Sequence, residues 1–341
     1  MNRPPRRKRL IVLLALALLT SCRSNGTGIE GSASSPSRHT ASRDALGTTF
    51  RLTVYAPDAR TGNEAVAAAL RRLDVIDAAL NAARADGEIF ALNSAREGVA
   101  VRLGDDLFTV LQHARRLSVA THGAFDVTAG PYRELWRLAA AAGRAPSDAE
   151  LEEARLRVGW DKLSLNTIER SATLTVPRMR IDLSGIARGY AVDQVFRQLR
   201  ARGCEQSRVD AGTVAVAGAP PRGRAGWTVA VHGTDGPGDK PRSLSLTRTA
   251  IAYSPNAVRR SGPGLDPRVA RLIDPVGGRS LDDRPPAAVL ATSGAAAESV
   301  AYAAAVLGPE RADVLAAVEG APRIRFNLPG ARRRRGAAAS D

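Results

Sequence analysis

Residues 181–193 read Ile181-Asp182-Leu183-Ser184-Gly185-Ile186-Ala187-Arg188-Gly189-Tyr190-Ala191-Val192-Asp193. A buried-type strand runs from Arg180 to Leu183 and carries a carboxylate near its end. Small residues follow, and then an apolar-periodic helix with Ile186, Tyr190, Val195 and Leu199 on one face closes near Gly203. A chain that passes from strand to helix through small residues brings backbone N–H groups up to whatever lies at the helix start. Phosphate is the natural ligand of such a junction. Asp182 also has a plainer reading, as the cap of the helix that begins near Gly185.

Around this unit the chain alternates between strand and helix patterns without a fixed βα repeat. Thr48 to Tyr55 alternates Phe50, Leu52 and Val54 with polar residues, and Val66, Ala69, Leu70, Leu73, Ile76 and Leu80 share one helical face. Leu107 to Ala120 is a second helix. Ser147, with Glu150 three residues later, forms a capping box that starts a helix running to about Arg157. Leu163–Leu165 and Ala172–Val176 read as a hairpin. Further strands are expected at 208–209, 214–217, 227–232, 243–246, 251–253 and 269–273, with a last helix from about Ala295 to Leu307. The segments 233–242 and 261–267 read as surface loops. Hairpins mixed with non-alternating helices predict an α+β fold, as a single large domain or two intimately joined subdomains.

The ends carry a different signal. Arg3, Arg6, Arg7, Lys8 and Arg9 precede an apolar run from Leu10 to Leu19, too short to span a bilayer, and Leu19-Thr20-Ser21-Cys22 follows. This is a secretory signal over 1–21 with a lipobox, which makes Cys22 the expected lipid-carrying N-terminus. It predicts an exported protein anchored at the outer face of the bacterial cytoplasmic membrane. An ordinary signal peptide with an incidental Cys is the alternative. Residues 22–44 read as a flexible tether, 45–327 as the folded domain and 328–341, with Arg332–Arg335, as a disordered tail. The tail suits anionic lipid and equally a solvated terminus.

The formal charge of +15 falls to +10 once the five basic leader residues are removed, and aromatic residues make up only 4%. No basic stripe is interleaved with aromatics, so nucleic-acid binding is excluded as a reading. With Cys22 acylated, Cys204 is the remaining cysteine. That leaves no intrachain disulfide and no Cys metal site, and a small buried residue near a helix end is its simplest role.

Six further motifs accompany the 182–193 stretch. Leu46-Gly47-Thr48-Thr49-Phe50 comes first, and Gly123-Ala124-Phe125-Asp126-Val127-Thr128-Ala129-Gly130-Pro131 follows with Leu135-Trp136. Val158-Gly159-Trp160-Asp161-Lys162-Leu163, Val209-Asp210-Ala211-Gly212, Leu272-Ile273-Asp274-Pro275 and the helix around Glu298 complete the set. In this order, behind a lipobox, they resemble the signatures of the ApbE family, the FAD:protein FMN transferases, over roughly Leu46 to Gly308. The resemblance implies an ApbE-like mixed sheet core with packed helices. It also implies cleavage of FAD, release of AMP and attachment of FMN to a Thr or Ser of exported domains of membrane redox complexes, with Mg²⁺ assisting.

By the same resemblance, Leu46, Ala124, Phe125, Asp126, Asp182, Arg188, Leu272 and Ile273 contact FAD, with Asp182 and Arg188 the catalytic pair. The cation falls to the Gly185 carbonyl, Glu298 and Tyr302. Each has a structural counterpart: Phe125, Leu272 and Ile273 as core, Asp126 as a turn or cap residue, and Glu298 on a packing helix. The chain also departs from the family pattern. Arg271 stands where a His is usual, and Arg188 where Lys is usual. Glu298 and Tyr302 replace Asp and Thr, and Asn81-Ala82-Ala83 replaces a stretch with an aromatic. Tyr253-Ser254-Pro255-Asn256 replaces a Thr-Ser-Gly type turn, and Thr213 a second Gly. His122 reads as an exposed loop residue. The alternative function is a catalytically degenerate ApbE-fold lipoprotein that binds flavin or a protein partner without transfer.

Overall fold

In the computed structural model, residues 36–231, 242–257, 270–317 and 323–326 are described. The elements are β1 (Ser37–Ala45), β2 (Thr48–Ala56), α1 (Ala59–Leu80), α2 (Glu88–Ser94), β3 (Ala100–Arg102), α3 (Asp105–Ala120), α4 (Gly130–Ala141) and α5 (Asp148–Arg155). β4 (Leu163–Asn166), β5 (Ser171–Leu174), α6 (Ala187–Arg200), β6 (Gln206–Ala211), β7 (Val214–Ala217), β8 (Trp227–Val231) and β9 (Arg242–Leu246) follow. The chain continues with β10 (Thr249–Tyr253), β11 (Ala287–Ala291), α7 (Gly294–Leu307) and β12 (Arg323–Phe326). Cys22, the leader, residues 22–35, the expected 261–267 loop and the tail lie outside the described residues, as does all but Arg242 of the 233–242 segment.

The main sheet runs β1-β2-β6-β7-β10-β11-β12, and each neighbouring pair is antiparallel. β7 and β11 are apolar at every position, and β10 at every position after Thr249, because both faces are covered. Val214 and Val216 of β7, Ala250 and Ala252 of β10, and Ala287 and Val289 of β11 join the large core that includes α1, α6 and α7. The alternate residues, Ala215, Ala217, Ile251, Tyr253 and Ala288, pack against Trp227, Val229 and Leu246 of the β8–β9 ribbon. Strand period two sorts one run of residues into two cores. β3-β5-β4 forms a separate small sheet, and α4 and α5 pack with Ile273 in a third cluster around Tyr132. The described residues form one compact unit, so the single-domain alternative of the α+β reading holds. No helix among the described residues is long and apolar enough to cross a membrane.

Three expectations change. The tether does not extend to residue 44, because β1 occupies Ser37–Ala45 and pairs along its whole length with β2. Its sequence, SRHTASRDA, is polar because it is an edge strand with one face in solvent, which is also what a tether looks like. Arg180–Leu183 is extended but pairs with no strand. The backbone of Ile181 instead donates to Asn93 Oδ1 at 2.7 Å and accepts from Asn93 Nδ2 at 3.0 Å, so a side-chain amide takes the place of a neighbouring strand. Residues 270–273 likewise make only a single bridge, Ile273 to Ser280, and the Leu272 N–H donates to Asp282 Oδ1 at 2.7 Å.

α6 and α7 touch through glycine. A Cβ on Gly189 would lie 2.2 Å from the Gly294 carbonyl oxygen, and one on Gly294 would lie 2.6 Å from the Gly189 oxygen. Backbone cannot rotate aside as a side chain does, so Gly189→Ala must part the helices. A loss of about 1–3 kcal/mol is expected, read as a fall in the thermal midpoint; an unchanged midpoint would contradict this close packing.

Candidate active site

α7 is buried along its whole length, and Glu298 is its one charged residue. A carboxylate in such a helix needs partners. Glu298 is 3% exposed, and both its oxygens are engaged. Arg188 Nε donates to Oε1 at 2.8 Å, and the Gly189 N–H donates to Oε2 at 2.7 Å. Glu298 therefore caps the first turn of α6 from a neighbouring helix. Asp193 of α6 returns the arrangement, accepting from the Gly294 and Ala295 N–H groups at the start of α7 at 2.6 and 2.9 Å. A negative group at each helix start complements its dipole.

This corrects two expectations about the strand–turn–helix unit. The start of α6 holds the protein's own carboxylate rather than an open row of N–H groups. Asp182, for its part, does not cap α6. It accepts from the Ser184 N–H and hydroxyl, both at 3.0 Å, and pairs with the Nε of Arg133. Burial alone would push its carboxyl up, but the Arg133 charge and the bonds from Arg133 and Ser184 outweigh this and hold it below the usual carboxylate range. Arg188 continues the chain of contacts, donating from Nη2 to the Ser184 carbonyl at 3.2 Å. Arg133, Asp182, Ser184, Arg188 and Glu298 thus form one connected polar row. Arg133 and Arg188 keep side-chain exposures of 34% and 24%, so neither side chain is sealed from solvent.

An aromatic floor adjoins this row. The Phe125 and Tyr302 rings meet edge-on, with centroids 5.8 Å apart and planes at 86°. A Cβ on Gly185 would lie 3.0 Å from Phe125 and 3.3 Å from Tyr302, so only glycine passes here without displacing a ring. The Tyr302 hydroxyl donates to the Ile273 carbonyl at 2.9 Å and accepts from its N–H at 3.4 Å. Burial pushes it up to about 12, so it stays a neutral phenol. Segments distant in sequence, around 125, 182–188, 273 and 298–302, therefore converge. An open cavity of about 620 Å³ lies next to them, lined in part by Ala124, Asp274, Val276, Leu281 and Arg284.

The remaining expected residues fall as follows. Leu272 is fully buried in the main core, and Ile273 packs in the Tyr132 cluster, so their side chains serve as core. Asp126 is also mostly buried and caps a short 3-10 turn, accepting from the Thr128 N–H at 2.8 Å and hydroxyl at 2.7 Å. Burial pushes its carboxyl up, and the Thr128 bonds offset part of that rise. Leu46 sits at the β1–β2 turn with φ 49°, its N–H donating to Asp77 Oδ1 at 2.7 Å. Thr48 of the same hairpin and Arg188 both flank Gly212, where φ is +62°. His122 is exposed, and Cys204 is buried just after α6, with burial raising its thiol. Arg271, in the usual His position, pairs with Asp282 at 3.4 Å.

The donor set for Mg²⁺ does not fit. Glu298 accepts from Arg188 and Gly189 with both its oxygens, and the Tyr302 hydroxyl is shared with the Ile273 backbone. Among the described residues no three His, Cys, Asp or Glu side chains cluster as a metal site would require. Sequence reasoning missed Arg133. It lies in the first turn of α4, just after the Gly130-Pro131 start, and that placement of a lone cation was its only signal.

The chain is similar to known flavin transferases. A relative from Haemophilus influenzae, a FAD:protein FMN transferase, is 32% identical over 142 residues, which are 40% of this chain and 41% of that protein. The Vibrio cholerae protein of the same name is 26% identical over 89% of each chain. Among solved structures, the flavin transferase ApbE from Vibrio cholerae superposes with a TM-score of 0.71 at 24% identity, covering 85% of this chain and 97% of that one. The Thermotoga maritima ApbE protein gives 0.72 at 23% identity, over 86% and 95%. These superpositions concern the fold. The sequence model of the ApbE family matches residues 46–324, which takes in β2 to β11, the α6–α7 pair and the converging segments, and by that match the chain belongs to the ApbE family.

Proposed function

We propose that this chain is a FAD:protein FMN transferase. The observation that carries the reading is the convergence of four distant segments, with two partly exposed arginine side chains and a carboxylate, at the start of α6 in an ApbE-family chain. In the reaction a Thr or Ser hydroxyl oxygen of an acceptor protein bonds to the FMN phosphorus of FAD. The bond from that phosphorus to the bridging oxygen breaks, and AMP leaves with that oxygen. Catalysis of such a transfer is chiefly positioning and charge neutralisation. Arg133 and Arg188 supply fixed positive charge to the pyrophosphate, and Asp182 is the carboxylate placed to receive the hydroxyl proton. The cavity beside Ala124 and Asp274 offers room for part of the nucleotide.

The Mg²⁺ ion implied by resemblance is not part of this reading, since Glu298 is held by Arg188 and Gly189 and the Tyr302 hydroxyl by the Ile273 backbone. FAD enters as substrate, and the acceptors are exported domains of membrane redox complexes. The test supplies FAD and an acceptor domain carrying a target Thr, and records AMP release together with gel-stable flavin fluorescence. Both signals support transfer, and neither signal overturns it.

The anchor is proposed from sequence alone. With Cys22 acylated behind its lipobox, the enzyme works at the outer face of the cytoplasmic membrane. Labelled palmitate is expected to enter the wild-type chain and not Cys22→Ala; equal labelling would remove Cys22 from this role.

A further inference from the structure

The α6–α7 junction carries a conclusion about cations. Glu298 sits in a helix with no other charge, and its buried carboxylate needs a positive partner. The fold supplies one covalently. Arg188 Nε meets Oε1 at 2.8 Å, the Gly189 N–H meets Oε2 at 2.7 Å, and Arg188 is held a second time by the Ser184 carbonyl at 3.2 Å. Asp182 is likewise taken by Arg133 and Ser184. Tyr302 shares its hydroxyl with the Ile273 backbone, and its ring, with that of Phe125, fills the space next to Gly185.

We infer that this junction takes no divalent cation and that the Arg188 guanidinium is the resident counter-ion in its place. Mg²⁺ demands near-octahedral oxygen ligation at about 2.0–2.1 Å. To bind here it would have to compete with the Arg188 and Gly189 bonds for the Glu298 oxygens and sit facing a guanidinium. Arginine stays protonated at any working pH, so this counter-ion is never lost. The charge that meets the substrate pyrophosphate is then fixed in the chain, independent of the metal ion supply. The statement about the cation does not rest on the transfer reading. Only its consequence for FAD does.

The test is a Mn²⁺ titration of the full chain, with free Mn²⁺ read by electron paramagnetic resonance, without FAD and with it. A parallel arm follows FAD binding by flavin fluorescence in EDTA and in excess Mg²⁺. The expected result is no Mn²⁺ uptake assignable to Glu298, and FAD curves that coincide within about twofold. Arg188→Ala, which leaves Glu298 without its guanidinium, is expected to gain Mn²⁺ affinity at least tenfold. Stoichiometric Mn²⁺ uptake by the wild type that disappears in Glu298→Gln would overturn the inference, as would an EDTA-induced loss of FAD affinity of tenfold or more. Uptake that Glu298→Gln leaves unaltered lies elsewhere and supports it. If FAD binds under neither condition the transfer reading fails, while the Mn²⁺ arm still decides the cation question.

Discussion

Asp182→Asn is expected to lower FMN transfer at least about 100-fold while the protein remains folded. Asparagine has nearly the shape of aspartate and can still accept from Ser184, but it carries no charge and takes up no proton at neutral pH. The pairing with Arg133 keeps Asp182 ionised, so the native group is ready to receive the acceptor's proton. Loss of a positioned acid–base group typically costs a factor of 10²–10⁴. The stability cost is smaller. Side-chain exposures of 34% for Arg133 and 21% for Asp182 place the pair between a surface and a buried ion pair, at about 1–2 kcal/mol. AMP release and a thermal melt on one preparation separate the two effects. Transfer within twofold of wild type would remove Asp182 from the chemistry.

Arg188→Ala should give the largest stability loss among single substitutions at the site. The Glu298 carboxylate, 3% exposed, would keep its bond from Gly189 but lose its counter-charge. Breaking a buried pair from one side costs about 3–5 kcal/mol, and in a domain of this size that lowers the thermal midpoint by about 6–20 °C. The double variant Arg188→Ala/Glu298→Gln is expected to recover much of this loss. The glutamine carbonyl still accepts from Gly189, and no buried charge is left unpaired. A double variant no more stable than Arg188→Ala would mean the loss comes from packing rather than charge.

The elements with strong periodicity were legible in the sequence. The α1 face, the Ser147–Glu150 capping box and the β4–β5 hairpin all appear where the residues place them. So does the α6–α7 pair at the centre of the site. What the sequence hid were partnerships across the fold. Arg180–Leu183 and 270–273 have strand-like composition, yet their backbone groups bond to Asn93 and Asp282, one from α2 and one from a loop. Periodicity reports which residues are apolar, not what satisfies their N–H groups. Glu298 was expected as a metal ligand through the family resemblance, in the place of the usual Asp. Its pairing with Arg188, 110 positions away, is a tertiary fact that no local pattern encodes. Ser37–Ala45 was lost for the opposite reason, since an edge strand and a tether share a polar composition.

On our proposal, the segments gathered at the start of α6 transfer FMN using charge built into the chain. The most direct test incubates the protein with FAD and an acceptor domain in EDTA, then weighs the acceptor by mass spectrometry. The acceptor is expected to gain the mass of one FMN, with an equal amount of AMP released, and Asp182→Asn to lower both at least about 100-fold. An acceptor of unchanged mass in EDTA that gains FMN once Mg²⁺ is restored would contradict the built-in charge. An acceptor of unchanged mass under both conditions would contradict the transferase itself.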